Sequence, residues 1–178
     1  MSTRGRINGD GPAVEFVTTS AHNRQYLFRN DAIALNVLKQ LSETAGYFTI
    51  AIMAYVLMPS HLHAILGLPK ARDLSKFMQS FKSLSSRRIR HKFAYSINGF
   101  QFDSRTALWQ PRFDDVLIIS ELQFNVKLDY IHNNPVKAGL VQRPEEWKYS
   151  SAGFWLKEIP GPIVVESSFK WMEIVSEK

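Results

Sequence analysis

The feature that most constrains this chain is one long apolar stretch that doubles back on itself. From Tyr47 to Leu68 it reads YFTIAIMAYVLMPSHLHAILGL, broken only at Met58-Pro59-Ser60. Tyr47–Leu57 is apolar and β-branched enough for a buried strand, and His61–Leu68 returns as its hairpin partner, closed by Pro69. Its longest apolar run, around Ile50–Met58, is too short to cross a bilayer, which takes about 20 apolar residues. In a strand alternate residues share a face, so Leu62, Ala64, Leu66 and Leu68 point one way and His61 and His63 the other. The aliphatic row can seal a core. The two imidazoles, roughly 7 Å apart at about 3.3 Å per residue, require another explanation.

Elements on either side of the hairpin set the fold class. Ala13–Thr19 (AVEFVTT) is β-prone. Asn30-Asp31 caps a helix through about Ala45, with Ile33, Val37, Leu38 and Leu41 at helical spacing and Gly46 ending it. Asp73–His91 reads as a second helix, with Leu74, Phe77, Met78, Phe81 and Leu84 inward. Asn98-Gly99 marks a loop, and Ala107–Val116 holds a short strand weakened by Pro111. Ser120 caps a last helix, Glu121–Asn134, which Pro135 terminates. The order β-α-β-β-α-(β)-α predicts an α+β domain: a ferredoxin-like antiparallel sheet with helices on one face, plus a C-terminal extension. We divide the chain into a flexible N-terminus (1–12), one domain (13–151) and the extension (152–178), whose aromatics include Phe154, Trp155, Phe169 and Trp171. The histidines would then lie on the open sheet face.

Composition narrows the class of function. At 178 residues and 45% hydrophobic, the chain suits one globular domain. It has no cysteine, which excludes disulfides and thiolate metal sites and fits a reducing compartment. The start, MSTRGRINGDGP, lacks the apolar core of a signal peptide, so a cytoplasmic protein without membrane contact is expected. Net charge is +6, but Lys70–Lys92 alone holds eight Lys/Arg against one acid, leaving 14 basic and 15 acidic residues elsewhere. A stripe so concentrated is either a solvated helix face or the footprint of a nucleic-acid binder.

Among the tyrosines, Tyr130 stands out. On a helical wheel Leu117, Phe124, Leu128 and Ile131 cluster into one stripe, and Tyr130 falls roughly 130° away, beside Gln123, Lys127 and Asn134. A core tyrosine belongs on the stripe. A phenol has a pKa near 10 and is a weak nucleophile unaided. A divalent metal held by His61, His63 and Asn134 could assist it, with positions left for substrate and water. Each part also has a plain reading: half-buried or edge histidines, a surface tyrosine, and a turn at Asn-Asn-Pro. His22, His91 and His132 are assigned no role.

The segment YVLMPSHLHAILGLP resembles the His-hydrophobic-His (HUH) strand of single-tyrosine transposases, and DYIHNNPVKAGLVQRPEEWKYSSA resembles the tyrosine helix of their REP-associated branch. EFVTTSAHNRQYLF and LWQPRFDDVLI add to a likeness running from about Glu15 to Ala152. The resemblance implies a metal-dependent endonuclease and strand transferase acting on single-stranded DNA, often folded into hairpins. It implies Tyr130 as nucleophile, attacking a phosphodiester to give a 5′-phosphotyrosine adduct and a free 3′-hydroxyl. It implies His61, His63 and Asn134 as ligands for Mg²⁺ or Mn²⁺, and a monomer or homodimer. Lys82, Arg87, Arg88 and Arg90 are the first phosphate contacts expected, then Arg24, Arg112 and Lys127. Two rivals remain at this point: a non-catalytic single-strand-binding module on the same fold, and a hydrolytic metallonuclease that uses water.

Overall fold

The computed structural model describes residues 9–93 and 107–167. Most of the 1–12 segment, the Asn98-Gly99 loop, Phe169 and Trp171 lie outside the described residues. The hairpin forms as its sequence requires: β2 (Ala51–Met58) pairs antiparallel with β3 (His61–Leu68), Met58 opposite His61. β1 (Ala13–Ser20) lies along the other side of β3, and β4 (Asp114–Leu117) along β1, giving the antiparallel order β2-β3-β1-β4. With α1 (Asp31–Tyr47) between β1 and β2, and α2 (Leu74–Lys92) between β3 and β4, the chain runs β-α-β-β-α-β. That is the ferredoxin-like arrangement.

Placement on one face holds for α1 and α2, whose apolar sides pack on Val17, Leu62, Ala64, Leu66 and Leu68. It does not hold for α3 (Glu121–Lys137). Its Phe124 and Ile131 join Val14, Phe16, Met53, Val56 and Ile65 in a second core on the opposite face. The hairpin is the reason. All of β2 is buried, so its second face also carries bulky apolar side chains that must be kept from water, at roughly 1.5–3 kcal/mol for each large one. The face predicted to stay open is therefore partly roofed, and the roof carries Tyr130.

Several boundaries move for local reasons. α1 runs past Gly46 to Tyr47, and Thr49 adopts a left-handed conformation (φ 53°) that closes the helix as Ile50 N–H reaches the Ala45 carbonyl. Strand β2 therefore starts at Ala51, and the Tyr47 ring is 84% exposed. Leu84 is only half-buried; Ser85 takes the inward position, donating to the Phe81 carbonyl and accepting from Trp109 Nε1 at 2.8 Å. The strand expected in Ala107–Val116 is limited to Asp114–Leu117, beyond Pro111. Pro135 does not end α3: it is buried within it, and the helix continues to Lys137, with Ala138 N–H bonded to the Asn134 carbonyl. The missing backbone bond is offset by burial of the ring.

The chain after α3 covers the outer edge of β2. Leu57 N–H donates to Tyr149, Ser151 N–H to Tyr55 and Glu166 N–H to Ile52, with Ser150 bridged to Val56. This pairs an edge that would otherwise present free backbone groups. The short helix α4 (Ala152–Lys157) packs Trp155 beside Phe124, its indole N–H donating to the Met53 carbonyl.

Candidate active site

His63 anchors the site. It lies on the α3 face of the sheet, stacked on Phe16 at 5.5 Å between ring centres, and its Nδ1 is 2.7 Å from Thr18 Oγ1. It is 5% exposed, and its Nε2 is buried without a hydrogen-bond partner. Burial, then His61, then Lys127 push its pKa down to about 3, so the ring is neutral near pH 7. With Nδ1–H donating to Thr18, Nε2 presents a bare lone pair. His61 stands next to it, ring centres 4.7 Å apart, its Nδ1 3.2 Å from Ser60 Oγ. Its pKa is also lowered, by burial and then by Arg24. Two neutral imidazoles side by side, one with an orphaned buried acceptor, can offer nitrogen lone pairs to a cation.

Tyr130 meets this pair from above. Its ring lies edge-on to His63 at 5.3 Å and to Phe16 at 5.9 Å, and the residue is 39% exposed. Lys127 Nζ sits 4.5 Å from the Phe16 ring centre and 5.9 Å from that of Tyr130; Lys137 Nζ is 5.7 Å from the Tyr130 ring. Lys127, Tyr130, Asn134 and Lys137 follow at i, i+3, i+7 and i+10, one stripe of the helix. Asn134 Nδ2 donates to the Tyr130 carbonyl at 3.2 Å, which leaves Oδ1 as the other pole of the amide. Ser120 Oγ starts this helix by accepting from Gln123 N–H, as its sequence suggests.

The sequence pattern of the family described as "Transposase IS200 like" matches residues 14–134, well over half of the chain and inclusive of every group just described except Lys137. This chain belongs to the IS200-like transposase family. A REP-associated tyrosine transposase of Escherichia coli is 32% identical to it over 100 residues, 56% of this chain and 53% of the relative. A Haemophilus influenzae protein, provisionally given the same name, is 28% identical over 110 residues, 61% of this chain and 62% of that protein. The matches thus span only half to three-fifths of these relatives' own lengths. The fold is similar, at TM-score 0.67 and 22% identity, to a solved structure described as a REP-associated tyrosine transposase bound to a REP hairpin; the alignment covers 94% of this chain and 93% of that one.

In this IS200-like transposase the remaining predicted residues fall into two places. Arg24 stands beside His61, and Lys127 belongs to the Tyr130 stripe. The α2 cations lie in the helical layer on the other side of the sheet. There Lys82 is committed to the carbonyls of Pro111 and Arg112, both at 3.1 Å, and burial lowers its pKa. Arg88 pairs with Glu43 at 2.6 Å. Arg87 and Arg112 are exposed, and Arg90 is half-buried. Sequence reading did not find Thr18, Phe16 or Lys137. Lys137 was within reach, seven residues past Tyr130 on the same stripe; Thr18 and Phe16 become visible only with the β1–β3 register.

Proposed function

We propose that this chain cleaves and rejoins single-stranded DNA through a covalent tyrosine adduct, on substrates that fold into REP-like hairpins. The observation that carries the reading is the Tyr130 ring set against His63, half-exposed, between two lysines, all from one chain. In the first step Tyr130 Oη forms a bond to phosphorus as the bond to the 3′-oxygen breaks. The phenolic proton leaves with the displaced oxygen or to solvent. The product is a 5′-phosphotyrosine and a 3′-hydroxyl; attack by such a hydroxyl reverses the step and joins strands. Because one phosphodiester is exchanged for another, no external energy source enters.

His61 and His63 would hold a divalent cation, Mg²⁺ or Mn²⁺, with Asn134 as third ligand. When bound, it supplies positive charge to a phosphate oxygen. The chain's own contribution is orientation and field: Phe16 and His63 fix the ring of Tyr130, and Lys127 and Lys137 place two ammonium groups where the phosphate must approach.

The test is a labelled hairpin oligonucleotide incubated with the protein and Mg²⁺ or Mn²⁺. A denaturation-resistant protein–DNA species should form, and Tyr130→Phe should abolish it while leaving DNA affinity within about twofold, since only one hydroxyl is removed. Cleavage that survives in Tyr130→Phe would point to hydrolysis by water. Binding without any adduct would make the chain a single-strand-binding module.

A further inference from the structure

One buried histidine is not used by this chemistry. His132, two residues after Tyr130 on α3, is turned away from the lysine–tyrosine stripe and is 4% exposed. Its Nε2 lies 2.9 Å from Ser151 Oγ, itself fully buried. Ser151 Oγ accepts from Tyr55 N–H at 2.9 Å and lies 3.2 Å from the Tyr55 carbonyl, to which it donates. With Nε2–H donating to it, this hydroxyl makes the three hydrogen bonds it can make. A link of this kind between a helix and a strand is fully satisfied in one geometry only, so it fixes their relative height.

Where it attaches matters. Tyr55 precedes Val56, which pairs with His63 on β3. His63 pairs in turn with Thr18, and Thr18 with Asp114, while Ser150 bridges to Val56 on the outer side. Ser150, Val56, His63, Thr18 and Asp114 thus form one transverse row across the sheet. The His132 anchor is one residue along from that row. The helix is pinned at the level of His63, and Tyr130 is the residue this pinning sets over the imidazole.

We propose that His132, acting through Ser151, is a positioning residue for Tyr130. The inference rests on Tyr130 being the nucleophile. It assigns His132 no contact with DNA and no proton in the reaction. Tyr130, Ile131 and His132 then divide the work: one faces the substrate, one fills the second core, and one sets the height.

Three variants and two readouts decide it. His132→Leu fills the space but cannot reach Ser151 with a polar atom; His132→Gln carries an amide N–H that can. Ser151→Ala removes the anchor. Adduct formation in a single turnover should slow by about 10²-fold in His132→Leu and Ser151→Ala, the penalty of a misplacement near 1 Å, with DNA affinity unchanged. His132→Gln should recover most of the rate. The second readout needs no activity: the nuclear Overhauser effect between the Tyr130 and His63 rings should weaken severalfold in His132→Leu and persist in His132→Gln. Wild-type rate in folded His132→Leu overturns the proposal. So does a loss in which rate, DNA affinity and thermal midpoint fall together and His132→Gln restores nothing. Should the wild type form no adduct, the nucleophile reading fails, and the ring-to-ring signal still judges the clamp by itself. If His132→Leu does not fold, Ser151→Ala carries the same comparison.

Discussion

At the scale of single residues, the site depends on keeping imidazoles neutral where they are buried. Thr18 holds His63 by Nδ1, which leaves the buried Nε2 as the nitrogen with the lone pair. In the proposed cation site, a group that orients a ligand in this way is worth about 10–100-fold in metal affinity. Thr18→Val should weaken Mn²⁺ binding by that factor in calorimetric titration, with higher metal concentration restoring adduct formation; unchanged affinity would show that Phe16 stacking alone orients the ring. His132 makes a separate point about stability. Burial lowers its pKa from 6.5 to about 4, so between those values the unfolded chain binds more protons than the folded one. Stability therefore rises with pH across that window and is lost as pH falls through it, by up to roughly 3 kcal/mol. Urea midpoints at pH 7 and pH 4.5 should differ less in His132→Gln than in the wild type. Equal differences would mean the imidazole is not desolvated.

At the scale of elements, what was legible in the sequence is what is local. The hairpin, both helix caps at Asn30 and Ser120, and the displacement of Tyr130 from the apolar stripe follow from periodicity and turn chemistry, and the structure has each of them. Pro135 misled because the rule that proline ends a helix weighs one missing bond and not the burial of its ring. The roofing of the second face, the Thr18–His63 pair and the His132–Ser151 clamp join residues far apart in sequence, 45 positions for the first pair and 19 for the clamp, so they depend on register and docking and not on spacing. The strap beyond α3 is the least legible element, since much of its pairing is through backbone groups that carry no sequence signal. It carries one packing constraint: a Cβ on Gly161 would come 2.7 Å from Tyr55 Oη and 3.4 Å from the Ser150 carbonyl. Tyr55 is fully buried and cannot swing aside. Gly161→Ala should cost about 1–3 kcal/mol, an overpacking penalty, read as a lower thermal midpoint. A neutral effect would show that the strap lifts from the sheet freely.

At the scale of the whole molecule, the chain keeps two cationic surfaces on opposite sides of one sheet. Lys127 and Lys137 flank Tyr130. Arg87, Arg88, His91 and Lys92, with Gln40 and Leu84, line an open cleft of about 380 Å³ between α1 and α2. The two are not remote along the strands. Trp109 bonds Ser85 of α2 and bridges Ala21 at the end of β1, and Ala21 N–H donates to Ser60, the residue before His61. The basic end of α2 and the histidine pair thus share one end of the sheet, and a DNA strand held by both must pass around it. That arrangement predicts affinity from the α2 cations and rate from the α3 cations. Arg87→Ala with Lys92→Ala should reduce the slope of log affinity against log salt by about 0.7–0.9 for each phosphate no longer neutralised, and leave adduct formation at saturating DNA unchanged. Lys127→Ala with Lys137→Ala should slow adduct formation even at saturation. Arg88 is the weaker probe, because Glu43 already holds its guanidinium and removing it would leave that carboxylate facing the DNA. An unaltered salt slope in the α2 variant would confine the DNA to the tyrosine face and make the charge of the second helix a matter of solvation alone.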